Sequence, residues 1–294
     1  MGPVTSTVLK LAVHQFAPRL RDRAANLDAI ADVVAATGAN IVLTPELSVT
    51  GYDVGDDAAG LAVPIVDGQT LALLERLRSP LLDSSAHVVL GLVEKGDGGT
   101  PYNAAVVCRQ GVVRFRHRKV HLPTYGMFDE ARFFGHGRAL GCFDLSPDWR
   151  LGILVCEDFW HPGLAYVLAS SGIHLLLVLA AAPGRGIWPG GENGRTFASN
   201  DSWERIARVT AQLYGIYVAL ANRTGVEGGI TFGGGSLVAG PAGDVLARAG
   251  ELDDAVLSVD LSLAELERAR QPFAHARDDD PHLVCRELRR VIGA

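Results

Sequence analysis

Short apolar runs alternate along the chain with stretches whose apolar residues recur every three or four positions. This alternation predicts strands separated by crossover helices, the α/β class. The first unit is a strand at Val8–Gln15, then a helix over Arg23–Thr37 with Leu27, Ile30, Val33 and Val34 at helical spacing. Gly38 stops that helix, and a second strand runs over Asn40–Thr44. The middle has a different texture. His87–Glu94, Tyr102–Cys108 and Val112–Lys119 are strand runs joined by the turns Gly96–Thr100 and Arg109–Gly111, which predicts antiparallel hairpins. Leu151–Cys156 is almost wholly apolar, as for a strand buried on both faces. A helix near Leu164–Ser171 and a second apolar strand at His174–Ala181 follow it. The last third predicts a helix around Asp201–Tyr214, capped by Ser199 or Asn200, and strands at Ile216–Asn222, Ser236–Ala239, Val245–Ala247 and Ala255–Asp260. A final helix starts from Ser262. With neither repeat nor linker in view, residues 1–294 read as one domain, with 272–294 a peripheral C-terminal tail. The amphipathic piece at Leu283–Val291 suits packing on another subunit.

Composition narrows the function. The chain has 294 residues, 48% of them hydrophobic, enough to bury a large core. Net charge is −6 and Lys and Arg form no cluster, so a nucleic-acid partner is not expected. Met1–Lys10 has neither the order of a signal peptide nor an apolar span of helix length, which predicts a cytoplasmic protein with no membrane partner. Cys108, Cys142, Cys156 and Cys285 lie far apart without CxxC spacing, so neither a disulfide framework nor a zinc knuckle is indicated. A special cysteine here reads as a nucleophile.

Three residues stand at the C-terminal ends of predicted strands, where α/β folds place their active sites. They are Glu46 in LTPELSVTGYD, Lys119 in HRKVHLPTYGMFDEARFF and Cys156 in GILVCEDFWHP. Singly each has a plain alternative: a solvated carboxylate, a solvated lysine, a small core cysteine. Together they make a coherent chemistry. A protonated thiol needs a base, which Glu46 supplies. Attack on an amide carbon builds an oxyanion, which Lys119 and the backbone N–H of Glu157 stabilise. Glu46 then protonates the departing nitrogen and activates the water that hydrolyses the thioester. This chemistry requires no metal and no organic cofactor.

These segments, together with YVALANRTGVEGGITFGGGS and the PAGDVLA turn, resemble the nitrilase superfamily of carbon–nitrogen hydrolases over nearly the whole chain. The resemblance implies a four-layer α-β-β-α sandwich of two sheets, a Glu–Lys–Cys triad at Glu46, Lys119 and Cys156, and a homodimer or higher homo-oligomer. It places the family's second glutamate, which supports the lysine and helps hold the substrate, at Glu130. KVHLPTYGMFDEARFF is most similar to the glutamine-amidase domain of NAD synthetase and, more loosely, to N-carbamoyl amidases. The implied activity is hydrolysis of a small amide or N-carbamoyl compound to an acid and ammonia. A stand-alone glutamine amidase, a nitrilase and a catalytically silent binding module are the alternatives. One departure bears on the substrate. Where those amidases continue into Asn-Ala-Ser-Pro, whose serine helps bind glutamine, this chain has Ala180–Ala181–Ala182–Pro183. The lost hydroxyl and amide leave a glutamine head group poorly satisfied.

Tyr52, Tyr125 and Phe128 are candidate substrate-binding residues, with packing as the alternative; Trp160 and Trp188 are weaker candidates. Arg185 either meets a substrate carboxylate or is a surface arginine, and Gly184–Gly194 reads as a loop near the mouth of the site. A Cys–His hydrolase using His161, or His117 and His121, competes with the glutamate reading, although no spacing demands it. A metal site from His117, His121, Glu130 and His136 has spacing too irregular for zinc. Gly228–Gly229 and Gly233–Gly235 sit between strand-like runs and read as hairpin or close-approach glycines rather than a phosphate loop.

Overall fold

The computed structural model describes residues 7–69, 80–186, 197–272 and 275–293. Strand β1 (Val8–Gln15) leads into helix α1 (Arg23–Thr37), which Asp22 caps by accepting the Ala25 N–H at 3.1 Å and which ends at Gly38 in the left-handed region, φ 58°. The chain returns as β2 (Ile41–Leu43), parallel to β1, and continues through β3 (Val63–Pro64) to β4 (His87–Lys95), parallel to β2. β4, β5 (Pro101–Arg109) and β6 (Val112–Arg118) are joined as the antiparallel hairpins that the turns predict. The second sheet begins with β7 (Cys142–Ser146), antiparallel to β8 (Trp149–Val155). β8, β9 (Leu175–Ala180) and β10 (Tyr217–Asn222) run parallel, linked by α2 (Pro162–Ser170) and α3 (Ala198–Tyr214). A two-stranded ribbon, β11 (Val226–Glu227) and β12 (Ile230–Thr231), precedes β13 (Leu237–Ala239) and β14 (Val245–Arg248). β15 (Ala255–Ser262) then crosses back to pair antiparallel with β1, and α4 (Leu263–Arg270) follows. The sheet orders are β15-β1-β2-β4-β5-β6, with β3 beside β4, and β14-β13-β10-β9-β8-β7.

Strand periodicity explains the layers. Along β1, Leu11 and Val13 join Leu43 and Val107 in a core shared with Ile153, Leu177 and Leu220 of the other sheet, while Ala12 between them faces the opposite way. Ala12, Val42, Val88 and Val106 are covered by Leu27, Ile30 and Val34 of α1. Ala165 and Leu168 of α2, with Trp203, Ala207 and Ala211 of α3, pack on the second sheet, whose central strands are buried on both faces. The result is an α-β-β-α sandwich.

The start of α3 differs from the sequence reading. The helix begins at Ala198, with extended Phe197 at its cap position, so neither Ser199 nor Asn200 caps it. Their side chains are engaged elsewhere: Ser199 Oγ accepts the Arg185 N–H at 3.0 Å and Asn200 Nδ2 donates to Gly233 O at 2.8 Å. Both tie the helix to neighbouring loops. The terminal helix Pro281–Ile292 is capped by Asp280 and buries none of its residues. No helix among the described residues is long and apolar enough to cross a membrane.

Candidate active site

Glu46 sits on a tight turn after β2. Thr44 Oγ1 bonds to Ser48 Oγ and to Val89 O, both at 2.7 Å, and the Val49 N–H donates to Gly91 O at 2.9 Å. The turn presses so closely on β4 that a Cβ at Gly91 would meet the Pro45 carbonyl and stand 2.5 Å from Leu47 N. The side chain it presents is 1% exposed. Glu46 Oε1 accepts from Asn103 Nδ2 and from Lys119 Nζ, each at 2.7 Å, and Oε2 accepts the Ala181 N–H at 2.9 Å.

Lys119 follows β6 and is fully buried, its own N–H donating to Asn103 O at 2.9 Å. Its ammonium also donates to Glu130 Oε1 at 2.7 Å, and Tyr52 donates its hydroxyl to that same oxygen at 2.5 Å. Glu130 Oε2 and Asn103 Oδ1 are buried without a partner among the described residues. Glu130 is therefore no surface carboxylate. Burial pushes it up to about 7, Lys119 opposes that, and the Glu46 charge adds to it. Burial disfavours the Lys119 charge, but the two carboxylates outweigh it and hold the ammonium well above the usual lysine range.

Cys156 follows β8, a strand of the opposite sheet. It has φ 48°, left-handed for a residue with a side chain, and opens a tight 3₁₀ turn over Cys156–Trp160. Its sulfur lies near the Ala181 N–H, which donates to Glu46. Burial, reinforced by the Glu46 charge, holds the thiol well above its ordinary range, while Lys119 pulls the other way. The turn is clamped by Asp158, which is fully buried. Its carboxylate accepts the N–H groups of Val120 at 3.0 Å, His121 at 2.8 Å and Val155 at 3.3 Å, and lies 3.0 Å from His117 Nε2. Burial works against the Asp158 charge, and the His117 contact and backbone donors overcome it, leaving the carboxyl below its usual range. The cysteine turn and the lysine loop are thus tied together.

A further buried pair supports Tyr52. Glu227 accepts the N–H groups of Tyr52 at 2.8 Å and Asp53 at 2.6 Å and pairs with Arg223 at 2.9 Å. The Arg223 guanidinium lies 4.1 Å over the Phe232 ring, whose edge meets Tyr52. Sequence reasoning missed Asn103, Asp158 and Glu227. Asn103 is a lone polar residue in a predicted apolar strand, and Asp158 lies two positions after the cysteine, so both left a signal; Glu227 did not.

The remaining candidates lie around the mouth. Tyr125 is 54% exposed and donates its hydroxyl to Glu157 Oε2 at 2.8 Å. Phe128 stands edge-on to both Tyr52 and Tyr125, and Arg185 Cζ lies 5.6 Å from its ring centre. The rival readings do not assemble. His161 stacks on His121 with ring centres 3.5 Å apart and lies 3.7 Å from Glu157, while His117 faces Asp158, so each histidine is engaged away from the thiol. His136 Nδ1 sits 2.9 Å from Val120 O, and among the described residues no group of three or more His, Cys, Asp or Glu could hold a metal ion. Gly228 and Gly229, with φ 59° and 79°, turn the β11–β12 hairpin, and Gly234 presses against the Glu251 backbone. Trp160 packs edge-on to Trp203; Trp188 and most of Gly184–Gly194 lie outside the described residues.

Residues 10–271 match the carbon-nitrogen hydrolase family. This chain belongs to that family. Like its amidase and nitrilase relatives it is an enzyme acting on carbon–nitrogen bonds other than peptide bonds, within the nitrilase superfamily. It is 26% identical over 262 residues to the glutamine-dependent NAD(+) synthetase of Thermotoga maritima, covering 87% of this chain but 42% of that one. It is 28% identical to a nitrilase of Pyrococcus abyssi, covering 89% of this chain and 93% of the relative. Among solved structures, a nitrilase-superfamily amidase from Nesterenkonia AN1 superposes with TM-score 0.71 at 30% identity, covering 92% and 96% of the two chains. The NAD+ synthetase of Acinetobacter baumannii gives TM-score 0.75 at 22% identity over 88% of this chain and 46% of its own. The chain thus spans less than half of the NAD synthetases and nearly all of the nitrilase and the amidase.

Proposed function

We propose that this carbon–nitrogen hydrolase cleaves a small amide or N-carbamoyl compound, releasing ammonia and an acid, through a thioester on Cys156. The observation that carries the reading is the Lys119 ammonium buried between Glu46 and Glu130 at 2.7 Å from each, with the strained, buried Cys156 within electrostatic reach of all three.

Glu46 takes the thiol proton as sulfur bonds to the amide carbon, since a thiol held above its ordinary range does not ionise unaided. The carbonyl electrons move onto oxygen, where Lys119 and the Glu157 N–H stabilise the negative charge by donating hydrogen bonds. When the C–N bond breaks, Glu46 gives its proton to the leaving nitrogen. Water then loses a proton to Glu46 and adds to the thioester; collapse frees the acid and returns the proton to sulfur. The open oxygen of Glu130, Oε2, suits a substrate amide N–H.

Ala180, Ala181 and Ala182 are buried and their side chains carry no polar group, while Ala181 and Ala182 use their backbone N–H groups on Glu46 and Asn222. A glutamine head group would find no hydroxyl there, which favours other amides over glutamine. We also infer a homodimer or larger homo-oligomer, supported by exposed Val167 on α2 and exposed Val209 and Leu213 on α3.

An ammonia-release screen over primary amides, carbamoyl amino acids, carbamoyl amines and glutamine, with Cys156→Ala as control, tests the reading. Release that depends on Cys156 is expected from at least one non-glutamine class; equal release from the variant would overturn the thioester.

A further inference from the structure

The cations around the site are not all matched. Lys119 lies between two carboxylates and Arg223 is paired with Glu227. Arg185 is different: among the described residues no carboxylate lies within 4.0 Å of its guanidinium. Its position is nevertheless built. The Gly184 N–H donates to Thr231 O at 2.9 Å, the Arg185 N–H donates to Ser199 Oγ at 3.0 Å, and the Ser199 N–H donates back to Arg185 O at 3.0 Å. At the other end, the guanidinium lies over the Phe128 ring and fills the space left by Gly126, where a Cβ would stand 2.8 Å from an Arg185 nitrogen. Gly126 has φ 65°, so a larger residue there is disfavoured on two grounds.

The arginine is also close along the chain to the site. Ala181, whose amide holds Glu46, is four residues earlier, which limits the two Cα atoms to about 14 Å apart. The Tyr125 hydroxyl, bonded to the residue after Cys156, lies within electrostatic reach of both the Cys156 sulfur and Arg185. Between these groups the buried charges are two carboxylates and one ammonium. An anionic substrate would be repelled from such a centre unless a cation met its charge first.

From this geometry we propose that the substrate carries a carboxylate remote from its scissile amide, and that Arg185 is the specificity residue that binds it. The planar fork of a guanidinium donates two parallel hydrogen bonds to a carboxylate, and the Phe128 ring, its centre 5.6 Å from Arg185 Cζ, helps to position the fork. The substrates that fit are monoamides of short dicarboxylic acids and N-carbamoyl amino acids. Simple aliphatic amides and carbamoyl amines would lack the anchor.

The inference rests on the amidase reading and is tested with matched pairs that differ only in the distal group: succinamate against butyramide, and N-carbamoyl-β-alanine against N-propylurea. Wild-type enzyme is expected to prefer the carboxylated member of at least one pair by about 10- to 100-fold in kcat/KM. Arg185→Gln should bring that ratio close to one, chiefly through KM, and Arg185→Lys should retain part of it. The preference should also weaken as salt is raised. A wild-type enzyme that favours the neutral members, or an Arg185→Gln variant that lowers both members equally, overturns the inference while leaving the amidase reading intact. If neither member of either pair releases ammonia above the Cys156→Ala background, the amidase reading loses its support and the inference falls with it. Thermal melts of both variants show whether they fold, and the wild-type preference is read without them.

Discussion

Tyr52 donates its hydroxyl to the Glu130 oxygen that also accepts Lys119, at 2.5 Å and 2.7 Å respectively. Burial raises the carboxyl to about 7, and the two donors on one oxygen limit that rise by favouring the charged form. Tyr52→Phe removes one of them. The expected outcome is a loss of about 10-fold in kcat/KM near neutral pH and an acid limb of the pH–kcat/KM profile moved to higher pH. An unmoved profile would show that Tyr52 does no more than pack.

Glu130 also makes stability depend on pH. Its carboxyl is raised from 4.5 to about 7, so the folded protein holds that proton more tightly than the unfolded chain does. The stabilisation is fully present below pH 4.5 and is lost as pH rises through about 7. Its size is on the order of 3 kcal/mol at most. Glu130→Gln removes the titration, so relative to wild type its melting temperature should improve between pH 5 and pH 8. Parallel melting curves across that range would contradict this.

Gly91 is where the Glu46 turn meets β4. Gly91→Ala forces the turn away from the strand, and a displacement near 1 Å of a reacting group costs about 100-fold in rate. Gly163, on α2 with nothing within 4 Å of its would-be Cβ, is the control: Gly163→Ala should keep full activity. Steady-state ammonia release from the two variants makes the comparison.

Asp158 gathers donors from three backbone positions and lies against His117. Asp158→Ala leaves those groups buried without an acceptor, at a cost of about 3–5 kcal/mol and a melting-temperature drop of about 10 °C. Asp158→Asn keeps one acceptor oxygen and should lose less. Equal melting temperatures for the two variants would refute the clamp.

The parts of this site that were legible in the sequence are those whose side chains close a strand. Glu46, Lys119 and Cys156 each stand at the C-terminal end of a predicted strand, and strand ends on one edge of a sandwich converge. Glu130 needed the family resemblance, because a loop carboxylate gives no sign of its own burial. The Ala181 amide was invisible, since a backbone donor has no letter. Glu227 acts on Tyr52 across 175 positions, a contact that only the returning β11 creates. The α3 cap was misplaced for a related reason: Ser199 and Asn200 have side chains that suit a cap, yet distant loops compete for them. Tyr52, a candidate for either substrate binding or packing, has its hydroxyl committed to Glu130.

Base and cation come from one sheet and the nucleophile from the other, so the spacing between them is set by the thickness of the shared apolar layer. Leu11, Val107, Ile153 and Leu177 therefore act as the gauge of the reaction as well as the filling of the core. Trimming one of them would tilt the two halves and detune turnover at temperatures where the protein is still fully folded. For an enzyme built this way, tolerance to core variation is limited by alignment before it is limited by melting.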